Sequence, residues 1–398
     1  MSLEPFARFS LHRIPELHFG TGSLDRLPSL LAAFGRQPMI VTGGRSFAAS
    51  GRLDPLLAML ERASFACRHV CVEGEPSPEL VDAVTALGRE SGTDVVVAIG
   101  GGSVIDTGKA VSAMLLQEYP VERFIEGCSD FLWHDGRKVP FLAVPTTSGT
   151  GSEATSNAVL SRIGKEGFKR SLRHRTFVPE VALIDPELLC SPPKSLTVAS
   201  GMDAVTQLLE SYVSPSASPF TDVLALQGLR CFSRSFPAAC STGSSDPAVR
   251  ADLAYAAFLS GVTLCNAGLG IVHGLASSLG GRYDIPHGVL CATLLAEATE
   301  ENIRQLRRSS SGSAALALRK YADAGRLLSG RSCADDKQGC SLLVATLREW
   351  SRTFDVPTLG AYGVLPEAVS GIVSVTRSKN NPVDLDAASI ERILFKRL

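Results

Sequence analysis

The stretch Gly100–Ala110, GGGSVIDTGKA, constrains the fold more than any other part of the chain. The preceding run, Val95–Ile99, is apolar and mostly β-branched, which predicts a strand buried on both faces. The three glycines predict a tight turn, and Ser103 is a favourable N-cap for the helix that follows. The free N–H groups of such a helix start can bind phosphate, although a plain turn between strand and helix fits equally well. The spacing differs from the GxGxxG fingerprint of the Rossmann fold.

The same order of strand, turn and helix runs through the first half of the chain. We expect strands near residues 8–20, 38–42, 65–72, 95–99, 139–144 and 181–184, and helices near 23–34, 53–63 and 79–91. This order predicts a doubly wound parallel sheet, in which ligands bind beyond the carboxyl ends of the strands. Two further turns rich in glycine and hydroxyl groups, Thr42–Ser46 and Pro145–Glu153, also follow strands. Three such turns favour one shared nucleotide site over three unrelated loops.

The pattern changes near residue 190, where Pro192 and Pro193 interrupt the chain. Almost every later segment has helical spacing. We therefore expect an α/β dinucleotide-binding domain over residues 1–190 and an all-α domain over residues 191–398.

Composition excludes several classes of protein. The formal net charge is −1 over 398 residues, which gives no overall field that would recruit nucleic acid or an anionic membrane. The first 20 residues lack the apolar core of a signal peptide, and we expect no transmembrane helix. The ten cysteines form no CxxC pair, which is typical of reduced thiols in a cytoplasmic protein. Basic residues form no obvious cluster along the sequence.

A second set of chemically informative residues lies in the helical half. Asp203, Gln207 and Glu210 share one face of a helix, and His273 and His287 lie in apolar, glycine-flanked segments. One carboxylate with two imidazoles is a common set of ligands for a divalent metal. The spacing alone also allows the alternative that both histidines are ordinary core residues.

Five stretches together resemble the iron-containing (group III) alcohol dehydrogenase family. They are GGGSVIDTGKA, PTTSGTGSEAT, VPEVALIDPELL, GMDAVTQLLESYVS and the pair HG and PHG around His273 and His287. The resemblance covers nearly the whole chain. It implies a dehydroquinate synthase-like architecture, with a nucleotide-binding α/β domain, a helical metal-binding domain and the active site between them. It also implies a homodimer.

The resemblance implies the site residues one by one. Gly100, Gly101, Gly102 and Ser103 match the positions that hold the cofactor pyrophosphate. The rest of the cofactor path is implied at Thr146, Thr147, Thr150, Thr155, Lys169 and Leu188. The metal positions are Asp203, Gln207, His273 and His287.

Two departures from the family pattern concern the chemistry. Gln207 stands where the family has a metal-binding histidine, and Ser277 stands where it has a histidine near the substrate. A glutamine oxygen is a weak neutral ligand, so we expect weakened binding of Fe²⁺ or Zn²⁺, or loss of the metal. Without the second histidine we assign no general acid, and Ser277 is a candidate for the proton relay.

A third departure concerns the nucleotide. NAD-preferring members usually carry an aspartate at the position of Gly43, where it repels a 2′-phosphate. Here Gly43, Gly44, Arg45 and Ser46 offer free N–H groups, a guanidinium and a hydroxyl instead. We therefore expect NADP(H) rather than NAD(H).

The sequence thus predicts an oxidoreductase that transfers a hydride between NADP(H) and a small alcohol or aldehyde, with a metal polarising the oxygen. A metal-free reductase of the maleylacetate reductase type is one alternative. A dehydroquinate synthase-like lyase is another, which the lack of a basic cluster disfavours. A nucleotide-binding protein without catalytic activity is the third.

Overall fold

The strands of the chain form one large parallel sheet and one small hairpin. A computed structural model describes residues 8–44, 46–164, 167–190 and 192–398. The strands are β1 (Glu16–Phe19), β2 (Pro38–Gly43), β3 (Arg68–Val72), β4 (Val95–Gly100), β5 (Phe141–Pro145), β6 (Asn157–Arg162), β7 (Phe168–Arg173) and β8 (Val181–Ile184). Six of them pair in parallel in the order β1-β8-β5-β4-β2-β3, whereas β6 and β7 form a separate antiparallel hairpin.

The helices fall into two groups along the chain. Those between the strands are α1 (Leu27–Leu31), α2 (Ser46–Ala49), α3 (Leu53–Arg62), α4 (Pro78–Glu90) and α5 (Gly102–Met114). Those that follow β8 are α6 (Lys194–Val213), α7 (Pro219–Ala239), α8 (Pro247–Ala267), α9 (Ile271–Gly280), α10 (His287–Leu306), α11 (Gly312–Ser329), α12 (Asp336–Thr353), α13 (Val369–Val373) and α14 (Ala387–Phe395). The predicted α/β half and helical half are therefore confirmed, while the boundary near residue 190 stays a prediction.

Strand β4 lies inside the sheet and is buried along its whole length, as its apolar run predicts. Val96 and Ala98 pack into the core on one face of the sheet, and Val95, Val97 and Ile99 pack into the core on the other. Both faces of the sheet are therefore covered, which confirms the doubly wound arrangement.

The hairpin β6–β7 is absent from the sequence-based expectation. Its strands carry Arg162, Lys169, Arg170 and Arg173 among apolar residues, so they lack the continuous apolar run that predicted the sheet strands. The hairpin lies against α5 and α9 and forms one wall of the cleft described below.

Helix α8 is long and apolar enough, by length and composition alone, to cross a membrane. Within the protein, 61% of that apolar window is buried. It packs against α6 and α7, so its apolar residues belong to the core of the helical half.

The backbone of the loop after β5 contacts the backbone of α8 directly, at Gly151 in the loop and Gly261 in the helix. A Cβ atom on Gly151 would lie 2.5 Å from the backbone nitrogen of Gly261, and one on Gly261 would lie 2.1 Å from the carbonyl oxygen of Gly151. Gly151 also has a φ of +61°, a left-handed conformation that costs other residues about 1–2 kcal/mol. This contact fixes the loop that carries Thr150 and Thr155 against the helical half.

We predict that Gly151→Ala lowers the free energy of unfolding in urea more than Gly330→Ala does. Both glycines are left-handed, but a Cβ on Gly330 meets no atom within 4 Å. The Gly330 variant therefore measures backbone strain alone, about 1 kcal/mol, and the clash at Gly151 adds roughly 1–3 kcal/mol. Equal losses in the two variants would show that the glycine contact has no energetic role.

Candidate active site

A cleft of about 190 Å³ opens where the carboxyl ends of the central strands face the helical half. The turn after β4, the loop after β5, the hairpin, α6, α9 and the start of α10 all contribute side chains to it. Of the residues singled out from the sequence, the cleft contains Gly102, Ser103, Thr150, Thr155, Lys169, Asp203, Gln207, His273, Ser277 and His287. The turn at the start of α5 and the proposed metal ligands therefore face one space.

The turn at the start of α5 differs from the expectation at its cap. Gly101, rather than Ser103, is the N-cap residue, and it has no side-chain cap. Ser103 already lies in the first helical turn because the chain completes its bend two residues earlier. Close packing explains why residue 102 is a glycine, since a Cβ on Gly102 would lie 2.4 Å from the methyl group of Thr150. The N–H groups of Gly102 and Ser103 remain available to an anion, whereas that of Val104 already donates to the carbonyl oxygen of Gly101 at 3.0 Å.

A buried lysine in α5 holds the loop that follows β5. The ammonium of Lys109 donates to the carbonyl oxygens of Ser152 and Asn157, at 2.7 and 2.8 Å, and to the hydroxyl of Thr155 at 2.7 Å. Burial lowers the pKa of Lys109 to about 8, against the opposite effect of the Asp106 carboxylate. The lysine thereby fixes one wall of the cleft.

Four side chains converge at the helical side of the cleft. Asp203, His273, His287 and Cys291 each present one donor atom, and these four atoms lie within 4.8 Å of one another. Nε2 of His273 lies 3.3 Å from Oδ1 of Asp203, and Nε2 of His287 lies 3.8 Å from the same oxygen. We call these four residues the donor cluster. A carboxylate, two imidazoles and a thiol form a donor set suited to a divalent metal.

The protonation of the cluster fits this interpretation. Burial opposes ionisation of Asp203, but the two histidines and the Gln207 amide outweigh it and lower the pKa of the carboxyl to about 2. Burial lowers the pKa of His287 to about 3, so this imidazole is neutral at pH 7. Its Nδ1 is buried and has no hydrogen-bond partner among the described residues. Its Nε2 faces the cluster.

Glu210 sets the orientation of His273. Its carboxylate accepts a hydrogen bond from Nδ1 of His273 and another from the backbone N–H of Val272, both at 2.7 Å. Burial opposes protonation of His273, but Cys291 and the carboxylates of Asp203 and Glu210 outweigh it and raise its pKa, so Nε2 also carries a proton toward Asp203 that a bound metal would replace. Carboxylates fix metal-binding histidines in this way in many proteins.

Gln207 contacts the cluster through its NH₂ group. This group donates to Oδ1 of Asp203 at 3.0 Å, while the amide oxygen accepts from the hydroxyl of Ser260 at 2.7 Å. In this arrangement the glutamine orients Asp203, and its oxygen points away from the cluster.

Cys291 is the member of the cluster that the sequence analysis did not single out. Its sulfur lies 3.7 Å from Nε2 of His273 and 3.8 Å from Nε2 of His287. Cys291 follows His287 by one turn of α10, so the i, i+4 spacing is the signal that could have identified it. Burial raises the pKa of its thiol to about 12.

The other predicted cofactor residues lie apart from the donor cluster. Ser46, Thr146, Thr147 and Leu188 line a smaller pocket of about 100 Å³, and Gly43 and Gly100 end the neighbouring strands β2 and β4. Gly44 lies beside Glu73, whose carboxylate would be 3.2 Å from a Cβ at that position. Arg45 lies outside the described residues. The assignment of these residues to a cofactor stays a prediction.

The expectation that basic residues form no cluster is wrong. A groove of about 820 Å³ adjoins the cleft and is lined by Lys169, Arg170, Arg173, Arg282, Arg377 and Lys379. We call it the basic groove. These residues come from three distant parts of the chain, namely the hairpin, the end of α9 and the segment before α14, so only the fold brings them together.

The chain matches two models of one protein family. Residues 15–186 match the iron-containing alcohol dehydrogenase model, and residues 197–398 match the C-terminal model of the Fe-containing alcohol dehydrogenase family. Solved structures agree. A 1,3-propanediol oxidoreductase superposes with a TM-score of 0.87 at 27% identity, covering 98% of this chain and 100% of the other.

Curated relatives match over most of their lengths. The 1-propanol dehydrogenase PduQ of Citrobacter freundii is 34% identical, with 96% of this chain and 98% of the relative covered. Long-chain-alcohol dehydrogenase 1 of Geobacillus thermodenitrificans is 31% identical over 96% of this chain and 91% of the relative. The NADPH-dependent butanol dehydrogenase of Clostridium saccharobutylicum is 32% identical over 90% of this chain and 87% of the relative. The chain is therefore an alcohol dehydrogenase that belongs to the iron-containing alcohol dehydrogenase family.

Proposed function

We propose that this enzyme interconverts a small aldehyde and its alcohol with NADP(H), and that a divalent metal is held by Asp203, His273 and His287. The observation that carries the proposal is the convergence of these donors in the same cleft as the N-terminus of α5. In the reducing direction, the nicotinamide gives a hydride to the carbonyl carbon and a proton reaches the oxygen. A divalent metal bound by the cluster would supply Lewis acidity toward that oxygen.

The protein side chains have supporting tasks in this scheme. Glu210 and Gln207 orient His273 and Asp203. Ser277 donates to the carbonyl oxygen of His273 at 2.8 Å and lies 3.3 Å from the ammonium of Lys379. The contact with the Lys379 ammonium supports Ser277 as the proton relay, and we assign no other general acid.

We further propose Cys291, rather than Gln207, as the fourth ligand. The sulfur lies among the donor atoms, whereas the glutamine oxygen is engaged by Ser260. As a ligand to a divalent metal, Cys291 would release its thiol proton to solvent and bind as a thiolate. A thiolate with two imidazoles and a carboxylate favours Zn²⁺ over Fe²⁺, and zinc would have to accept a fifth ligand to polarise the substrate oxygen.

Cobalt substitution tests this ligand set. We expect the Co²⁺-loaded enzyme to show the near-ultraviolet charge-transfer band of a cobalt–thiolate bond, and Cys291→Ser to abolish the band while retaining some metal. Cys265→Ser is the matched control, because Cys265 lies on α8 outside the donor cluster.

If the wild-type protein binds one Co²⁺ without this band, the role of Cys291 is contradicted, but the metal site itself is not. A protein that binds no divalent metal and still reduces aldehydes would contradict the metal centre. That second outcome would favour a metal-free reductase, in which the Gln207 amide partly satisfies Asp203.

The preference for NADP(H) rests on the surroundings of β2. No carboxylate stands at Gly43, and Ser46 places a hydroxyl near the end of the strand. The relative from Clostridium saccharobutylicum is named as NADPH-dependent. Glu73 beside Gly44 acts in the opposite direction, because its charge repels a 2′-phosphate.

We predict a higher kcat/KM with NADPH than with NADH. In Ser46→Asp, the kcat/KM for NADPH divided by that for NADH should fall about tenfold. The new carboxylate would lie where the 2′-phosphate is expected, and two like charges about 4 Å apart at an exposed site repel by roughly 1–4 kcal/mol, which includes the tenfold change of about 1.4 kcal/mol. Ser313→Asp, on the exposed start of α11, is the control for added charge. Equal efficiencies with the two nucleotides in the wild-type enzyme would contradict the preference.

The homodimer and the cytoplasmic location inferred from the sequence stay predictions. The substrate class remains a small alcohol or aldehyde.

A further inference from the structure

The basic groove is continuous with the active-site cleft. Six residues line both spaces, namely Lys169, Arg170, Ser171, Arg173, Ser277 and Lys379. Ser277 follows His273 by one turn of α9, so the junction lies directly beside the donor cluster. A substrate whose carbonyl group lies at the cluster can therefore extend its other end into the groove.

The groove carries a strong excess of positive charge. Its lining holds six basic side chains and a single acidic one, Glu126, in a protein whose net charge is −1. Glu126 pairs with Arg173 at 3.2 Å, and Lys169 pairs with Glu75 at 2.8 Å. The excess of positive charge is thus confined to the groove. These two salt bridges pair only two of its six basic side chains.

The remaining four cations have no carboxylate within 4.0 Å among the described parts of the chain. Arg170 donates to the carbonyl of Gly127. Lys379 donates to the carbonyl of His273 at 3.0 Å and to the hydroxyl of Ser277 at 3.3 Å, which leaves one N–H group free for another acceptor. Arg377 is exposed and lies on the segment that packs against α9. Several N–H donors are therefore available to an incoming anion.

Lys379 also has a strained backbone. Its φ is +53°, in the left-handed region that lysine rarely adopts. Strain of this kind persists where the surrounding structure requires it, and it is concentrated at ligand sites. Here the strained residue places its ammonium at the junction between the cleft and the groove.

We propose that the physiological substrate is an aldehyde with an anionic group at its far end, such as a carboxylate, phosphonate or sulfonate, and that the basic groove binds this group. The inference rests on the proposed aldehyde reduction and names its substrate class. The reaction itself is unchanged: NADPH gives a hydride to the carbonyl carbon, a proton reaches the oxygen, and NADP⁺ and the anionic alcohol leave.

A cofactor phosphate is a different explanation for the positive charge. The N-terminus of α5, where a pyrophosphate is expected, lines the cleft through Gly102 and Ser103 but does not line the groove. The predicted 2′-phosphate residue Ser46 lies in another pocket. Lys169 is the one predicted cofactor residue that lines the groove, so the other five basic residues are available to the substrate when the nucleotide is bound as proposed.

Binding of two isosteric alcohols tests the proposal. Calorimetric titration of the enzyme–NADP⁺ complex should show that 4-hydroxybutanoate binds at least about tenfold more tightly than 4-hydroxybutanamide, because only the first can form charge-assisted hydrogen bonds. High salt should reduce the difference, since the groove is open to solvent. Comparison with 3-hydroxypropylphosphonate shows which anion fits better.

Variants locate the anion. Arg377→Ala should lower the affinity for 4-hydroxybutanoate about tenfold, and Arg377→Lys should restore part of it. Arg352→Ala, an exposed arginine at the end of α12, should have no effect. Equal affinities for the two alcohols would overturn the proposal, and so would an Arg377 variant that weakens NADPH binding instead.

Turnover of 4-oxobutanoate and 4-oxobutanamide is measured separately. Binding decides the role of the groove, and turnover with NADPH decides the proposed reduction. Tight binding of the anionic alcohol without reduction of either aldehyde would count against the proposed function while supporting an anion site. Reduction of both aldehydes with equal affinity would count against the groove alone.

Discussion

The buried carboxylate of Asp203 is the constraint on which the site depends. An ionised carboxyl group inside a protein is costly unless hydrogen bonds or cations surround it. Three helices meet this requirement together. Helix α6 supplies Gln207 one turn away, α9 supplies His273, and α10 supplies His287 and Cys291. The packing of the helical half is therefore tied to the arrangement of the donor atoms.

The parallel sheet provides the other side of the cleft for a different physical reason. Because all six strands of the sheet run in the same direction, their connecting turns lie along one edge and the helix N-termini point to the same region. The glycine contact between Gly151 and Gly261 and the buried ammonium of Lys109 then bring the loop after β5 against the helical half. A nucleotide and a metal-bound substrate can meet only if these two surfaces stay aligned.

Much of this could be predicted from the sequence, because each informative motif is a short continuous stretch of the chain. The apolar run before Gly100 predicted β4, and the motifs around Asp203, His273 and His287 indicated a metal site whose donors do converge. The predicted cap at Ser103 was wrong because the N-cap lies two residues earlier, at Gly101, which has no side chain to cap the helix. Cys291 was missed because the apolar residues around it are typical of a core helix.

The basic groove could not be predicted in the same way. About a hundred residues of sequence separate Lys169 from Arg282, and about a hundred more separate Arg282 from Lys379. No local pattern joins these three residues. The hairpin that carries the first of them has short strands with charged residues, which a search for apolar runs does not detect. Features that depend on the juxtaposition of distant segments require the fold.

Anomalous X-ray diffraction is the most direct test of the central claim that the donor cluster holds a catalytic metal. Crystals of the enzyme purified without chelator or added metal would be measured above and below the zinc and iron absorption edges. The account predicts one anomalous peak per chain between Asp203, His273 and His287, with the zinc edge giving the signal. An active enzyme whose crystals show no anomalous peak at this position would contradict it.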